Sequence, residues 1–505
     1  MNNIYSLFFK AFAGGALAGI SLSEGNYIFM LLGISLLWPA SKNPWGGFCW
    51  GAMAILWSHK WLLSLHPISW VGISSNLSLP ITIFIWLFCG AFGGGLVFIW
   101  SALSCFLAPG RLQFSKLENK FIYAVLLSTI WGLSEELLSR GPLFWMGVGP
   151  SLLPQDRYLA GLARWIGSGG LASIHLLAGW WIWQLSIAFQ ARKKLKKLII
   201  LGFAYFSLAH LIGFILLLDS PTDSSEKVAM WQTNIPIRQK FSQEEINALP
   251  SKVNRALTEA FEMNASFLIA PEGTLPLDRS KIRDFPIKFL SGGFRKINGS
   301  LRSSLLVFNP GEESFSDVLD KSRLVPLGEW IPELPNFLKN GLSAVGGIES
   351  GNPSRLLDWE GPSFAGAICY ELSNGKAIAK AVNQGAKWIL VIANLDPYPI
   401  SLQRQFLSIA QLRSIETSKN LISVSNTGPT SLIKSNGRID TLLKPNEELV
   451  QLADLELNGK KTLYTLISDL PIIAVILISL IGCLLYTSDA ADEGLGVDLG
   501  GRRII

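Results

Sequence analysis

Three side chains in the middle of this chain are of the types that covalent acyl chemistry needs. Glu272 stands in "APEGTLP", Lys321 in "LDKSRLVPLGEW" and Cys369 in "FAGAICYELSNG". A thiol attacks a carbonyl as its thiolate, and an ordinary thiol with a pKa of ~8.5 holds its proton at neutral pH. A carboxylate beside it can take that proton as general base. An ammonium can stabilise the oxyanion of a tetrahedral intermediate and also favour the thiolate. The three residues lie far apart in the sequence, so their meeting in space is an expectation. By type alone each has a plainer reading: a small core cysteine, a loop carboxylate and a solvated lysine.

The other candidate groups are less suggestive. Cys49, Cys89, Cys105 and Cys483 fall in apolar runs, where cysteine behaves as a small hydrophobe. Cys369 alone stands in the polar middle, with no partner there for a disulfide. His59, His66, His175 and His210 all lie in the hydrophobic first half without ligand spacing, so no metal and no cofactor is expected.

The elements that must position these groups belong to a membrane protein. The 505 residues are 49% apolar and 16% charged, with a mean hydropathy of +0.36. A soluble chain has little reason for that balance. The net charge of +6 matches basic cytoplasmic loops and needs no nucleic acid to explain it. Seven apolar stretches come first, near 4–22, 26–40, 47–66, 78–107, 120–138, 160–189 and 197–218, and an eighth covers 470–485. The fourth contains "GAFGGG", small residues that allow close helix packing. The basic loops 110–120 and 191–197 fall on one side with the N-terminus and Lys42. The positive-inside rule makes that side cytoplasmic, which leaves the polar region on the outer face. The first span lacks a clear cleavage site and is read as retained.

The expected organisation is a membrane domain over 1–221 with seven transmembrane helices, a catalytic domain over 222–466, and a C-terminal transmembrane helix over 467–487. The acidic, Gly-rich residues 488–505 resemble translated adaptor read-through and are set aside as a non-native tail. Within 222–466, strands are expected at 227–235, 265–273, 303–308, 363–371, 386–394, 421–426 and 430–434. Helices are expected at 242–264 (one or two), 375–385 and 401–419. Continuous apolar strands in this mixed α/β order suggest sheets buried on both faces, with functional groups at strand ends.

The flanks of the three residues resemble the Glu-Lys-Cys signature of the nitrilase superfamily, the carbon-nitrogen hydrolase domain. Seven spans before such a domain and one after resemble the apolipoprotein N-acyltransferase family, over nearly all of residues 1–485. "VAMWQTNIP" is similar to the family's opening strand, with Gln232, Asn234 and Pro236 matching, and "LVPLGEW" resembles another family motif. "WGLSEELLSRGPLFWMGVG" (131–149) resembles a segment of its membrane half. The fold implied is a polytopic α-helical membrane protein of about eight spans carrying an extracytoplasmic α-β-β-α sandwich.

The resemblance also implies roles. Cys369 would be the nucleophile, Glu272 the general base and Lys321 the oxyanion stabiliser, with Glu329, Tyr370 and Glu371 supporting. Arg413 and Glu416 match a family Arg-Ala-x-Glu segment, although a helix-surface i,i+3 ion pair explains them equally. The family's Trp-Phe pair after the following strand is replaced here: Asn394 and Asp396 remain, then Pro397-Tyr398-Pro399. "PEGTLP" stands for the commoner "PETALP". The reaction implied moves an acyl chain from a phospholipid donor through a cysteine thioester to a diacylglyceryl-modified lipoprotein, in the inner membrane of a bacterial cell. The catalytic domain would face the periplasm and the chain would be a monomer without nucleic-acid partners. The competing readings are a membrane-tethered amidase or nitrilase, and a non-enzymatic transporter or sensor in which Lys60, Glu135 and Glu136 mark a pathway.

Overall fold

The structure is a computed structural model. It describes residues 2–68, 75–107, 117–191, 195–218, 222–236, 240, 242–277, 285–312, 314–326, 329, 347–396 and 398–496. Most of the 110–120 loop, residues 192–194, Pro397 and the end of the tail lie outside the described residues.

The seven N-terminal apolar runs form α1 (Asn2–Glu24), α2 (Tyr27–Ala40), α3 (Pro44–Ser58), α4 (Ser75–Leu107), α5 (Leu117–Ser139), α6 (Ala163–Gln190) and α7 (Lys196–Leu218). Among the described residues, five helices (α1, α4, α5, α6 and α7) are long and apolar enough to cross a membrane. α2 is a shorter apolar helix. The third run differs from the expected single segment. α3 stops at Ser58, and a separate 3-10 turn covers Lys60–Leu65. Asn26 and Asn43 cap α2 and α3 by accepting the Ile28 and Trp45 N–H groups, and Pro44 opens α3, where a missing N–H costs nothing. α3 and α4 pack backbone to backbone: a Cβ on Gly51 would fall 2.6 Å from the Gly93 oxygen. α6 is broken at Gly167, whose φ is 63°.

The α/β domain is two six-stranded sheets. One runs β12-β1-β2-β3-β4-β5 and the other β11-β10-β9-β8-β7-β6. The first holds β1 (Ser224–Gln232), β2 (Phe267–Leu275), β3 (Lys288–Ile297), β4 (Ser300–Phe308), β5 (Asp317–Asp320) and β12 (Leu449–Leu457). The second holds β6 (Leu356–Trp359), β7 (Gly361–Ile368), β8 (Trp388–Ala393), β9 (Leu421–Ser425), β10 (Ser431–Ile433) and β11 (Ile439–Leu442). Alternation along the strands explains the layers. Val228 and Met230 of β1, with Phe267 and Ile269 of β2, meet Phe364, Ile389 and Val391 of the other sheet. Ala229, Trp231 and Leu268 point the other way, onto Val253 and Leu257 of α8 (Gln243–Glu262). α8 is one helix, with Pro250 inside it.

The second sheet is covered by α9 (Gly375–Gln384) and α10 (Ile400–Thr417). α10 has apolar residues on two faces. Leu402, Phe406 and Ile409 pack on the sheet, while Leu412 and Ile415 join Leu152, Leu171 and Ala209 of the helical part. It is therefore the layer through which the α/β domain sits on the helices. Ser408 donates to the Leu153 oxygen at 2.9 Å and Gln405 to the Leu22 oxygen at 3.1 Å. After the short α11 (Leu463–Ile467), α12 runs from Leu470 to Gly496.

Candidate active site

Glu272 lies in β2, where the ladder with parallel β3 slips between Ala270 and Leu275. Gly273 has φ +65°, and Gly292 of β3 sits against the turn: a Cβ there would meet the Glu272 Cα at 2.4 Å. Only glycine lets β3 pass the main chain that turns Glu272 out of the sheet. Lys321 follows β5. Its N–H donates to the Ser303 oxygen at 2.8 Å, and the preceding Asp320 is clamped by Arg295 at 2.7 and 2.6 Å and by the Ser304 hydroxyl at 2.7 Å. Cys369 follows β7. The expected strand 363–371 ends at Ile368, and Cys369 opens a 3-10 turn over Cys369–Ser373. Its φ of +57° is uncommon for a side chain with a Cβ, and such strain concentrates where a side chain must be displayed.

These segments converge. Lys321 Nζ donates to Glu272 Oε1 at 2.8 Å and to Glu329 Oε1 at 2.7 Å. The Asn394 N–H, after β8, donates to Glu272 Oε2 at 3.0 Å. Glu329 Oε2 accepts from the Val325 N–H at 2.9 Å. Lys321 is 1% exposed, so its charge stands only because two carboxylates face it; they hold its ammonium well above the usual lysine range against burial. Burial pushes the Glu329 carboxyl up, and Lys321 opposes that.

Burial also pushes the Cys369 thiol up. The negative charge of Glu272 adds to this, whereas Lys321 and the Tyr370 N–H favour the thiolate. Burial and the neighbouring negative charge thus both work against ionisation of the thiol. Thiolate ultraviolet absorbance, taken as wild type minus Cys369→Ser, is expected to stay flat between about pH 6 and pH 9. A rise near neutrality would show a preformed thiolate instead.

Glu371 ties the two loops together. Its Oε1 accepts from the Ser322 N–H at 2.8 Å and the Arg323 N–H at 3.0 Å; its Oε2 accepts from the Ile368 N–H at 2.9 Å and from Arg355 at 2.8 Å. The residues after Lys321 are thereby fixed to the strand end before Cys369. The Tyr370 hydroxyl donates to the Leu324 oxygen at 2.6 Å, and the Arg323 guanidinium lies 4.5 Å from its ring. Arg323 also donates to the Leu143 oxygen at 2.9 Å, and Phe144 stacks on Phe406 at 5.5 Å. The 140–149 segment of the helical part therefore packs against the site.

Other sequence-derived candidates take different places. Gln232 donates to the Lys444 and Glu447 oxygens, both at 2.7 Å, and Asn234 to the Asn446 oxygen at 3.0 Å, which braces the end of β1 away from the trio. The Arg413–Glu416 pair is not on a helix surface. It is 3% and 0% exposed, with the Ser168 N–H also bonding Glu416 just past the break in α6. Glu135 accepts the Trp131 indole N–H at 2.8 Å and the Val148 N–H, and Glu136 accepts the Gly169 N–H at 2.8 Å. Both are therefore satisfied in structure-holding bonds. Among the described residues, no group of His, Cys, Asp and Glu is placed to hold a metal ion.

Sequence reasoning did not foresee Trp61, which packs edge-on to Tyr398 at 5.5 Å. Nothing in its membrane-like run sets it apart. Tyr398, from the altered loop, lies within the field of Cys369, Lys321 and Glu272, and burial pushes its hydroxyl up.

A chain from Prochlorococcus marinus described as apolipoprotein N-acyltransferase is 49% identical over 476 residues, 94% of this chain and 96% of its own length. This chain belongs to the apolipoprotein N-acyltransferase family. Relatives with the same description from Parasynechococcus marenigrum and Shewanella oneidensis are 45% and 26% identical, covering 90% and 92% of this chain and 96% and 92% of their own. No family model matches the chain. Among solved structures, Saccharomyces cerevisiae Nit3 of the nitrilase superfamily aligns with a TM-score of 0.36 at 14% identity, over 46% of this chain and 91% of its own. A Nesterenkonia amidase of that superfamily gives 0.36 at 18% identity, over 47% and 93%. An apolipoprotein N-acyltransferase is an acyltransferase, which sets aside the amidase and the non-enzymatic readings. Its architecture is a multi-pass helical membrane part with an α/β domain of two six-stranded sheets.

Proposed function

We propose that this chain transfers an acyl chain from a membrane phospholipid to the N-terminal α-amino group of a diacylglyceryl-cysteine lipoprotein, through a thioester on Cys369. The observation that carries this reading is the buried Glu272–Lys321–Glu329 cluster whose charges act on the Cys369 thiol. Glu272 takes the thiol proton as sulfur attacks the ester carbonyl. Lys321 stabilises the oxyanion. The carbon–oxygen bond breaks, and Glu272 returns the proton to the departing lysophospholipid. In the second half Glu272 takes a proton from the attacking α-amino group, the carbon–sulfur bond breaks, and the proton restores the thiol. Glu329 positions Lys321, Glu371 positions the loops that carry Lys321 and Cys369, and Tyr370 joins them to the 140–149 segment.

An apolar cavity supports the lipid part of the reading. It runs among α1, α3, α4 and α5 to Trp145, Met146 and Gln405, and its lining includes Trp50, Trp100 and Trp131. That chemistry suits an acyl chain. The proposed division is a membrane part over 1–221, a catalytic domain over 222–466 on the periplasmic face of a bacterial inner membrane, and a further membrane helix after it. The test is transfer of a tagged acyl chain from phospholipid to a diacylglyceryl-cysteine peptide, read by product mass. An amide at the α-amino group is expected; free fatty acid with no acylated peptide would contradict the proposal.

A further inference from the structure

A second cavity lies beside the loops that carry Lys321 and Cys369. It shares no lining residue with the apolar one. Arg140, Arg323, Arg355, Lys376 and Lys380 line it, with Asn374 at the start of α9. Two carboxylates answer part of this charge. Glu371 pairs with Arg355 at 2.8 Å, and Asp469 pairs with Arg140 and with Lys376, the latter at 3.2 Å. Arg323 gives its N–H groups to neutral acceptors, the Ser373 hydroxyl at 2.8 Å and the Leu143 oxygen. Lys380, exposed on α9 one turn beyond Lys376, makes no ion pair among the described residues. Burial works against the Arg323 charge, so an anion in the groove would relieve a penalty already present.

The groove's position indicates the source of the anion. Arg140 directly follows the last residue of α5, and Asp469 directly precedes the first residue of α12. The cations therefore sit where two apolar helices end, at the level a bilayer's headgroups would occupy. Guanidinium and ammonium groups converging there suit a phosphate oxoanion. We propose that this groove binds the phosphate of an anionic membrane lipid, at a site separate from the acyl cavity and independent of the acyl donor. One wall is Glu371, so a lipid held there would also steady the loops that carry Lys321 and Cys369.

The test uses the full chain in bilayer discs of phosphatidylcholine with increasing phosphatidylglycerol, and native mass spectrometry to count retained lipid. Saturable retention of phosphatidylglycerol is expected. It should weaken about tenfold or more in Lys380→Glu and persist in Lys380→Arg. Acyl transfer in phosphatidylcholine-only discs should be unchanged in both, which reports an intact fold. Inorganic phosphate at the same concentration should not displace the lipid. Equal retention by wild type and Lys380→Glu would overturn the proposal. So would phosphate binding as tightly as the lipid, or an acidic peptide displacing it.

Discussion

Replacing Cys369 with Ala is expected to lower acyl transfer by at least about 10,000-fold, because the proposed reaction places its covalent intermediate on that sulfur. The chain should still reach the membrane and melt close to wild type. The change removes one sulfur from a side chain that is only 8% exposed, and Ala meets the same positive-φ strain as Cys. Cys369→Ser is expected to fold as well and to lose nearly as much, since its hydroxyl is a far weaker nucleophile in the same surroundings. Melting temperature and transfer of the tagged acyl chain separate the two possible causes. Transfer near the wild-type rate by Cys369→Ala would remove Cys369 from the reaction.

Lys321→Met is expected to act on both chemistry and stability, and the two can be separated. Loss of an oxyanion donor costs roughly 100- to 1000-fold in rate. Loss of the ammonium also leaves Glu272 and Glu329 facing each other in a buried site, and an unpaired buried charge costs about 3–5 kcal/mol. The melting temperature should therefore fall. Adding Glu329→Gln removes one of the two charges and should recover much of that stability. The rate should stay low in the double variant, because the donor is still missing. Recovery of rate along with stability would reduce Lys321 to a structural part.

The outline of the fold is readable in the residues: seven apolar helices, then mixed strands and helices, then an eighth apolar helix. Boundaries shift where tertiary contacts override local pattern. "SFAGAICYE" carries no turn residue, so nothing in it signals that the strand stops at Ile368 or that Cys369 takes a positive φ. β3 lies outside the expected strands; its Gly292 and Gly293 in "KFLSGGFRKI" are poor strand formers, and Gly292 is needed there for the close approach of Glu272. β12, "LVQLADLEL", lies outside the expected strands although its alternation is that of a half-buried strand. α10 was harder. Gln405, Ser408, Arg413 and Glu416 have surface types, yet all four are buried because the helical part covers the face that the sheet leaves free.

At the site, residue types and recognisable flanks pointed to Glu272, Lys321 and Cys369, but sequence distance hid how they meet. Glu329 reaches Lys321 directly. Glu371 acts through five bonds to Ser322, Arg323, Arg355 and Ile368, of which its neighbour Cys369 gives no hint. Tyr398 lies within the field of Cys369, Lys321 and Glu272, so this residue of the altered loop faces the candidate site rather than a distant surface.

In the proposed reaction Cys369 carries the acyl chain between donor and acceptor. The most direct test is to incubate the membrane-embedded chain with tagged phospholipid and no acceptor, quench in acid, and weigh the peptide containing Cys369. The mass of one acyl chain is expected on that peptide, released by hydroxylamine and lost when a diacylglyceryl-cysteine peptide is added. Acyl transfer proceeding with no adduct on Cys369, or with the adduct on another residue, would contradict it.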